Sequence, residues 1–414
     1  MPSRRRLLAG SGLALAGIAG SVGVPDGRLD HVRTAAGAFG SKSNRITWPM
    51  ASYDAAGTGY NPDASGPKDG LTPVWTADHD TSVRGPEPPL LLEDLVISTG
   101  RSSMVAVDRE TGDVRFERSG SFTSAPARAE ANAYRTDTLA VRGVAGYYGL
   151  NARGGYEGFG QSFGFERWHG PAAEPSIRRF SSPTPPAPVA VGTSIYGVEP
   201  ETNRILALEA SSGRLQWTYE LGDPRASTPH RPTARDGIVF VAGWPSNAAA
   251  IDAETGTQRW AVELEQRDCL PPTATEEGVV VPGRNAVSLL DLDDGSVRWE
   301  YSHNGNVTDG RVAVAEGIVV GPDGDGSQFA LDLETGDRLW TAAYGRQVSP
   351  VVADGVVYFG DIWLPELLGL DLETGEERFR YEPEDSGGFS QPSVGDGRLY
   401  VNTSEGIVAL EEAA

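Results

Sequence analysis

The sequence predicts an all-β chain, an eight-bladed β-propeller of four-stranded antiparallel blades whose last blade is closed by an N-terminal strand. Three observations predict it. A motif of the form apolar-x-Asp-x-x-Thr-Gly-x-x-x-Trp recurs about every forty residues, the period of one propeller blade. A hairpin of two short apolar runs precedes each copy. The chain ends one strand short of a full set, and one strand near its start has no set of its own.

The motif is clean at Asp108–Phe116, Asp252–Trp260, Asp332–Trp340 and Asp371–Phe379. Variant copies run Glu209–Trp217, with Ser212-Gly213, and Asp291–Trp299, with Asp294-Gly295. A degraded copy, Asn151-Ala152-Arg153-Gly154-Gly155, reaches Trp168 only after a Gly-rich insertion. Each copy reads as strand, tight turn, strand. The glycine supplies the positive φ that a hairpin turn needs. The Asp before it bonds backbone amides of the turn. The aromatic residue falls on the next strand, where a large ring packs between neighbouring sheets. Replacing Trp299 with Ala is expected to cost ~3–5 kcal/mol if that ring is buried between blades.

The hairpins before the motifs are apolar runs broken by Asp-Gly or Glu-Gly, as in Val351 to Phe359 around Asp354-Gly355. Outer-strand aromatics stand at Trp75, Phe116, Trp168, Trp217, Trp260, Trp299, Trp340 and Phe379, which is eight. Three-strand sets begin near Pro88, Ser124, Pro185, Arg231, Pro271, Thr308, Ser349 and Gln391, again eight. The last set lacks a fourth strand, and the strand at Leu71 to Ala77 lacks a set. Pairing the two closes the ring and leaves no open edge.

Residues 71–414 are thus the propeller, 39–70 an entry segment or linker, and 1–38 a leader. The leader opens Ser3-Arg4-Arg5-Arg6-Leu7-Leu8 and continues in a mild apolar stretch, which resembles a twin-arginine export signal with a flexible tail. The expected location is extracellular or cell-surface associated, with no membrane span in the mature chain and a monomeric state. The 414 residues carry 57 Asp and Glu against 35 Lys and Arg, a formal charge of −22. Phosphate backbones need a basic footprint, so no nucleic acid is expected as partner. Cys269 is the single cysteine, so no internal disulfide or thiolate cluster can form. Only Lys42 and Lys68 are lysines. This acid-rich, lysine-poor balance resembles proteins of salt-adapted archaea; an acidic, Arg-biased protein of a GC-rich genome is the other reading.

The Asp-x-x-Thr-Gly-x-x-x-Trp core resembles the pyrroloquinoline-quinone (PQQ) dehydrogenase-like propeller repeat. The stretch from Trp48 to Pro62, Trp-Pro-Met-Ala-Ser-Tyr-Asp-Ala-Ala-Gly-Thr-Gly-Tyr-Asn-Pro, is similar to the entry motif of secreted haloarchaeal members. The resemblance spans roughly Trp48 to Glu411 and implies the fold; it does not fix the chemistry. It implies two functional readings. One is a PQQ-dependent alcohol or sugar dehydrogenase, holding the quinone and a calcium ion over the channel. The other is a non-catalytic propeller, similar to the bacterial barrel-assembly scaffold, which binds partners through its loops and carries no cofactor. The chain has no Cys-Cys pair for the vicinal disulfide of many of the alcohol enzymes, and no stretch matches their calcium ligands or catalytic base. The expectation is an exported non-catalytic module that binds a protein or glycan at the cell envelope, without cofactor; the quinoprotein with PQQ and calcium is the alternative.

Candidate residues follow from the topology. The Asp-Gly and Thr-Gly turns share one face. The other face carries the connections of variable length, where binding usually lives. It is expected to present Arg101, Arg142, Arg204, Trp244, Arg284, Asn285, Arg346 and Trp363. Converging arginines clamp an anion; arginines paired with local carboxylates and tryptophans lying over loops are the competing reading. Asp323 and Asp325, in a Gly-rich turn, resemble half of a calcium loop without its closing Glu. Asp309 is placed to enter an inner strand and face the channel. His169, His230 and His303 fall in different blades without zinc spacing. No nucleophile elbow, phosphate loop or dinucleotide fingerprint occurs. The insertion with Tyr156, Phe159 and Phe163 reads either as an apolar flap or as a Gly-rich excursion. Asn306 and Asn402 start sequons on expected loops.

Overall fold

The computed structural model describes residues 45–78, 87–100, 102–144, 146–158, 161–172, 186–200, 202–223, 227–308, 310–383 and 387–414. The leader 1–38, Arg101, Asp309 and Phe159 lie outside them. The described residues form eight antiparallel sheets, no helix, and one small extra hairpin. Blades 1 to 7 span residues 90–119, 127–172, 189–220, 228–263, 273–302, 313–342 and 351–381. Blade 8 takes three strands from 393–412 and its fourth from Leu71–Asp78. That strand runs antiparallel to Gly406–Glu412, from Leu71 opposite Glu412 to Asp78 opposite Gly406. The expected eightfold closure is therefore what the chain adopts.

First strands of neighbouring blades touch one another and form the innermost ring. In blade 4 this strand is divided into Thr228–Pro229 and Thr233–Arg235, both paired with Ile238–Trp244. Second and third strands are apolar and buried throughout, as in Val356–Gly360. Fourth strands are half exposed and bury the repeat's aromatic ring, as in Arg338–Ala342.

The repeat is also the joint between blades. Each ring lies on the turn glycine of the next blade: Trp75 on Gly112, Trp168 on Gly213, Trp217 on Gly256, Trp260 on Gly295, Trp299 on Gly336 and Trp340 on Gly375. Each indole Nε1 donates to a carbonyl of the same turn, with 2.8 Å from Trp168 to Ala210 and 2.9 Å from Trp340 to Leu372. The repeat Asp caps its turn. Asp252 Oδ1 accepts from the amides of Glu254 and Thr255 and from the Thr255 hydroxyl, while Arg259 bonds Oδ2.

The insertion of blade 2 pairs with itself, Tyr156–Gly158 against Gln161–Phe163, and leaves Tyr156 and Phe163 exposed. One sequon expectation is corrected. Asn402 ends a strand, is buried and donates its amide to Glu87 O, so it is not a loop acceptor; Asn306 is exposed.

Candidate functional site

The segment Trp48 to Asn61 runs once around the inside of the ring. Trp48 exchanges both backbone hydrogen bonds with Leu91 of blade 1, and Pro49 O accepts from Arg128 N of blade 2. Ala55 O then accepts from Ala234 N of blade 4 at 2.7 Å, and Ala56 O from Ala274 N of blade 5 at 2.9 Å. Thr58 O accepts from Val314 N of blade 6, and Gly59 O from Val352 N of blade 7, both at 2.8 Å. This belt gives the innermost strands the partner that an edge otherwise lacks. Its composition explains the fit. Ala51, Ala55, Ala56, Gly57 and Gly59 let backbone meet backbone. Gly57 has φ +77°, and a Cβ there would stand 2.8 Å from Thr233 Cγ2. Asp54 holds the bend, accepting from the Thr58 amide and hydroxyl at 2.9 Å each.

Both ends of the belt leave on the tight-turn face. Arg109, fully buried, donates to Ile46 O at 2.6 Å, Leu92 O at 3.0 Å and Tyr400 Oη at 3.3 Å, and pairs with Asp396. At the exit Tyr358 Oη donates to Pro67 O at 2.9 Å, and Lys68 pairs with Asp354.

Above the belt, on the side of the variable connections, lies a polar mouth. Arg311 donates to Ser52 Oγ at 3.0 Å and pairs with Glu87 Oε1 at 3.4 Å. Arg231 is buried beside them. Burial, and then the like charge of Arg311, push its pKa down to about 9, against the pull of Glu87 and Asp54. Burial raises the Asp54 carboxyl above its ordinary range. Sequence reasoning missed this mouth. A signal existed: Arg231 and Arg311 each stand five residues before the acid of an Asp-Gly or Glu-Gly turn, where Ser349 and Gln391 stand in blades 7 and 8.

Of the residues expected on the variable face, Arg284, Asn285, Arg346 and Trp363 lie in connections and Arg204 and Trp244 at strand ends, but the structure does not gather them. Arg204 pairs with Glu199, Arg284 with Asp268 and Arg346 with Asp361, each within its own neighbourhood. Arg142 is buried in the second strand of blade 2. Asn285 Oδ1 accepts from the Arg267 amide. Trp363 is 81% exposed and Trp244 46%, in blades 7 and 4. The Trp363 loop is tied at its base: buried Asp361 accepts from the Trp363 amide at 2.8 Å through its side chain and from the Phe389 amide through its carbonyl. Asp323 spends Oδ1 on the amides of Asp325 and Ser327, capping its own turn. His169 bonds Glu166, and His303 packs beside Tyr301 and Phe329. Among the described residues no three His, Cys, Asp or Glu side chains are gathered to hold a metal ion.

The family profile for the outer membrane protein assembly factor BamB, a PQQ-type repeat family, matches residues 66–229, 201–360 and 330–413. The chain belongs to this family. The BamB of Moranella endobia is 28% identical over 188 residues, 42% of this chain and 47% of that one. A tetrathionate hydrolase of Acidithiobacillus ferrooxidans is 24% identical, covering 53% of this chain and 50% of its own. The chain spans about half the length of these curated relatives. Among solved structures, BamB of Moraxella catarrhalis superposes with TM-score 0.60 at 18% identity, covering 83% of this chain and 98% of that one. The quinohemoprotein alcohol dehydrogenase of Comamonas testosteroni reaches 0.65 at 14% identity, covering 89% and 81%. At such identities the BamB-type and dehydrogenase structures alike attest the fold. No helix among the described residues is long and apolar enough to cross a membrane.

Proposed function

We propose that this BamB-type propeller is a non-catalytic docking module of the cell envelope, binding a protein partner on its variable face. The belt carries the reading. A backbone lap occupies the hydrogen-bonding edges of the innermost strands, so those edges are already taken on the inside of the ring. The rim then offers exposed aromatic anchors, Trp244 and above all Trp363, whose amide is held by buried Asp361. Exposed, preorganised tryptophans are typical of interface hot spots. The leader is assigned to export, which would bring the module to the envelope.

Photo-crosslinking residues introduced at positions 363 and 244 test this in the source cell. An envelope protein should be captured from both, and from neither of two control positions on exposed outer strands, Val297 and Leu339. Equal capture at rim and control positions rejects the docking face. Stoichiometric binding of PQQ with calcium, together with dye reduction by alcohols or sugars, rejects the non-catalytic reading.

A further inference from the structure

The mouth holds a charge that its surroundings do not finish. Arg231 is 2% exposed, yet its Nε and Nη2 have no hydrogen-bond partner among the described residues. These are the two N–H groups of one guanidinium edge, the edge that grips an oxyanion through parallel hydrogen bonds. A Cβ placed on Gly57 would stand 3.7 Å from Nη1, so the belt meets the guanidinium at the nitrogen outside that edge. Buried donors on a charged group are among the costliest to leave unsatisfied.

The neighbouring acids do not fill the gap. Asp54 spends both oxygens on Thr58. Glu87 gives Oε1 to Arg311, and its Oε2 is itself buried without a partner. One small cluster therefore contains two donors that lack an acceptor and one acceptor that lacks a donor. A halide or nitrate answers only the donors. A water molecule answers both but brings no charge to the guanidinium.

We propose that the mouth binds a small oxyanion that also carries a hydroxyl, of the dihydrogen-phosphate or bicarbonate kind. Two of its oxygens accept from Arg231 Nε and Nη2, and its hydroxyl donates to Glu87 Oε2. Arg311, held by Ser52 and Glu87, adds a second positive charge beside it.

The full chain, desalted into chloride and crystallised with inorganic phosphate, tests the site directly. Tetrahedral density on the Arg231 edge supports it, and water alone on that edge overturns it. Calorimetry at fixed ionic strength and slightly acidic pH gives the second arm. Phosphate should bind one per chain, at least about tenfold more tightly than nitrate, the worth of one charge-assisted hydrogen bond. Glu87→Gln should erase that preference. Arg231→Lys keeps the charge but lacks the paired edge, and should weaken phosphate by a similar factor. Equal binding of nitrate and phosphate overturns the role of Glu87, and unchanged binding in Arg231→Lys overturns the role of the edge.

Discussion

At Gly336 two demands meet. Its φ of +76° suits glycine, and a Cβ would stand 2.7 Å from the Trp299 ring of the preceding blade. Gly336→Ala should therefore cost ~2–4 kcal/mol, a left-handed backbone penalty plus overpacking, read as a lowered denaturation midpoint. Trp340 is buried, and Trp340→Ala should cost ~3–5 kcal/mol. Trp340→Phe keeps an aromatic ring but loses part of the indole's packing and its bond to Leu372, for ~1–2 kcal/mol; Phe116 and Phe379 already occupy this position without an indole donor. Trp299 is only half-buried, so Trp299→Ala should fall at or below the lower end of that range. The turn acids set an acid limit. The bond from Arg259, then those from Thr255, hold the Asp252 carboxyl down at about 2. Asp108 and Asp371 are lowered too: burial raises them, and bonds from their turns and from Arg115 and Arg378 outweigh it. A folded-state value below the unfolded one, roughly 4, means stability that is complete above about pH 5 and lost as pH falls toward about 2. Unfolding curves across that window should show it, and Arg259→Gln should flatten part of the slope.

The belt is the element on which the site depends. Among the amides that donate to it, those of Ala234, Ala274, Val314 and Val352 come from four different blades. In a chain lacking residues 1–61 these four should lose protection in hydrogen exchange together, while second and third strands of the same blades keep theirs. Retained protection at all four would mean that the belt does not complete the inner ring. Fold and site differ in how far they could be read from the residues alone. The blades are legible because each repeats one local chemistry, Asp capping, glycine turning and tryptophan packing, within a dozen residues. The belt was visible as a distinctive string of Ala, Gly and Tyr, but its placement was not. Its partners stand from 43 residues away, at Leu91, to almost three hundred, at Val352, and neither spacing nor periodicity points to them. The rim arginines mislead for a related reason: the acids that neutralise Arg204, Arg284 and Arg346 sit in the same or adjoining connections, where only three-dimensional geometry selects the pair.

On the scale of the molecule, the pairing of Leu71–Asp78 with Gly406–Glu412 joins the two ends of the propeller. Removing residues 1–78 should leave Gly406–Glu412 as an open apolar edge, and open edges recruit other strands. Size-exclusion chromatography should then show concentration-dependent association beyond any seen for the intact chain. This closure was legible because it is a matter of counting: one strand too many at the start, one too few at the end. The same closure governs how the chain comes into being. Leu71 to Asp78 leave the ribosome more than three hundred residues before their partner exists, and the belt emerges earlier still. A nascent molecule carries that strand unmatched through nearly all of synthesis, while the belt gains its partners one after another, from Leu91 to Val352. Blade 8 is thus completed only when Gly406–Glu412 arrive, so loss of that one strand should be as damaging as loss of an entire blade.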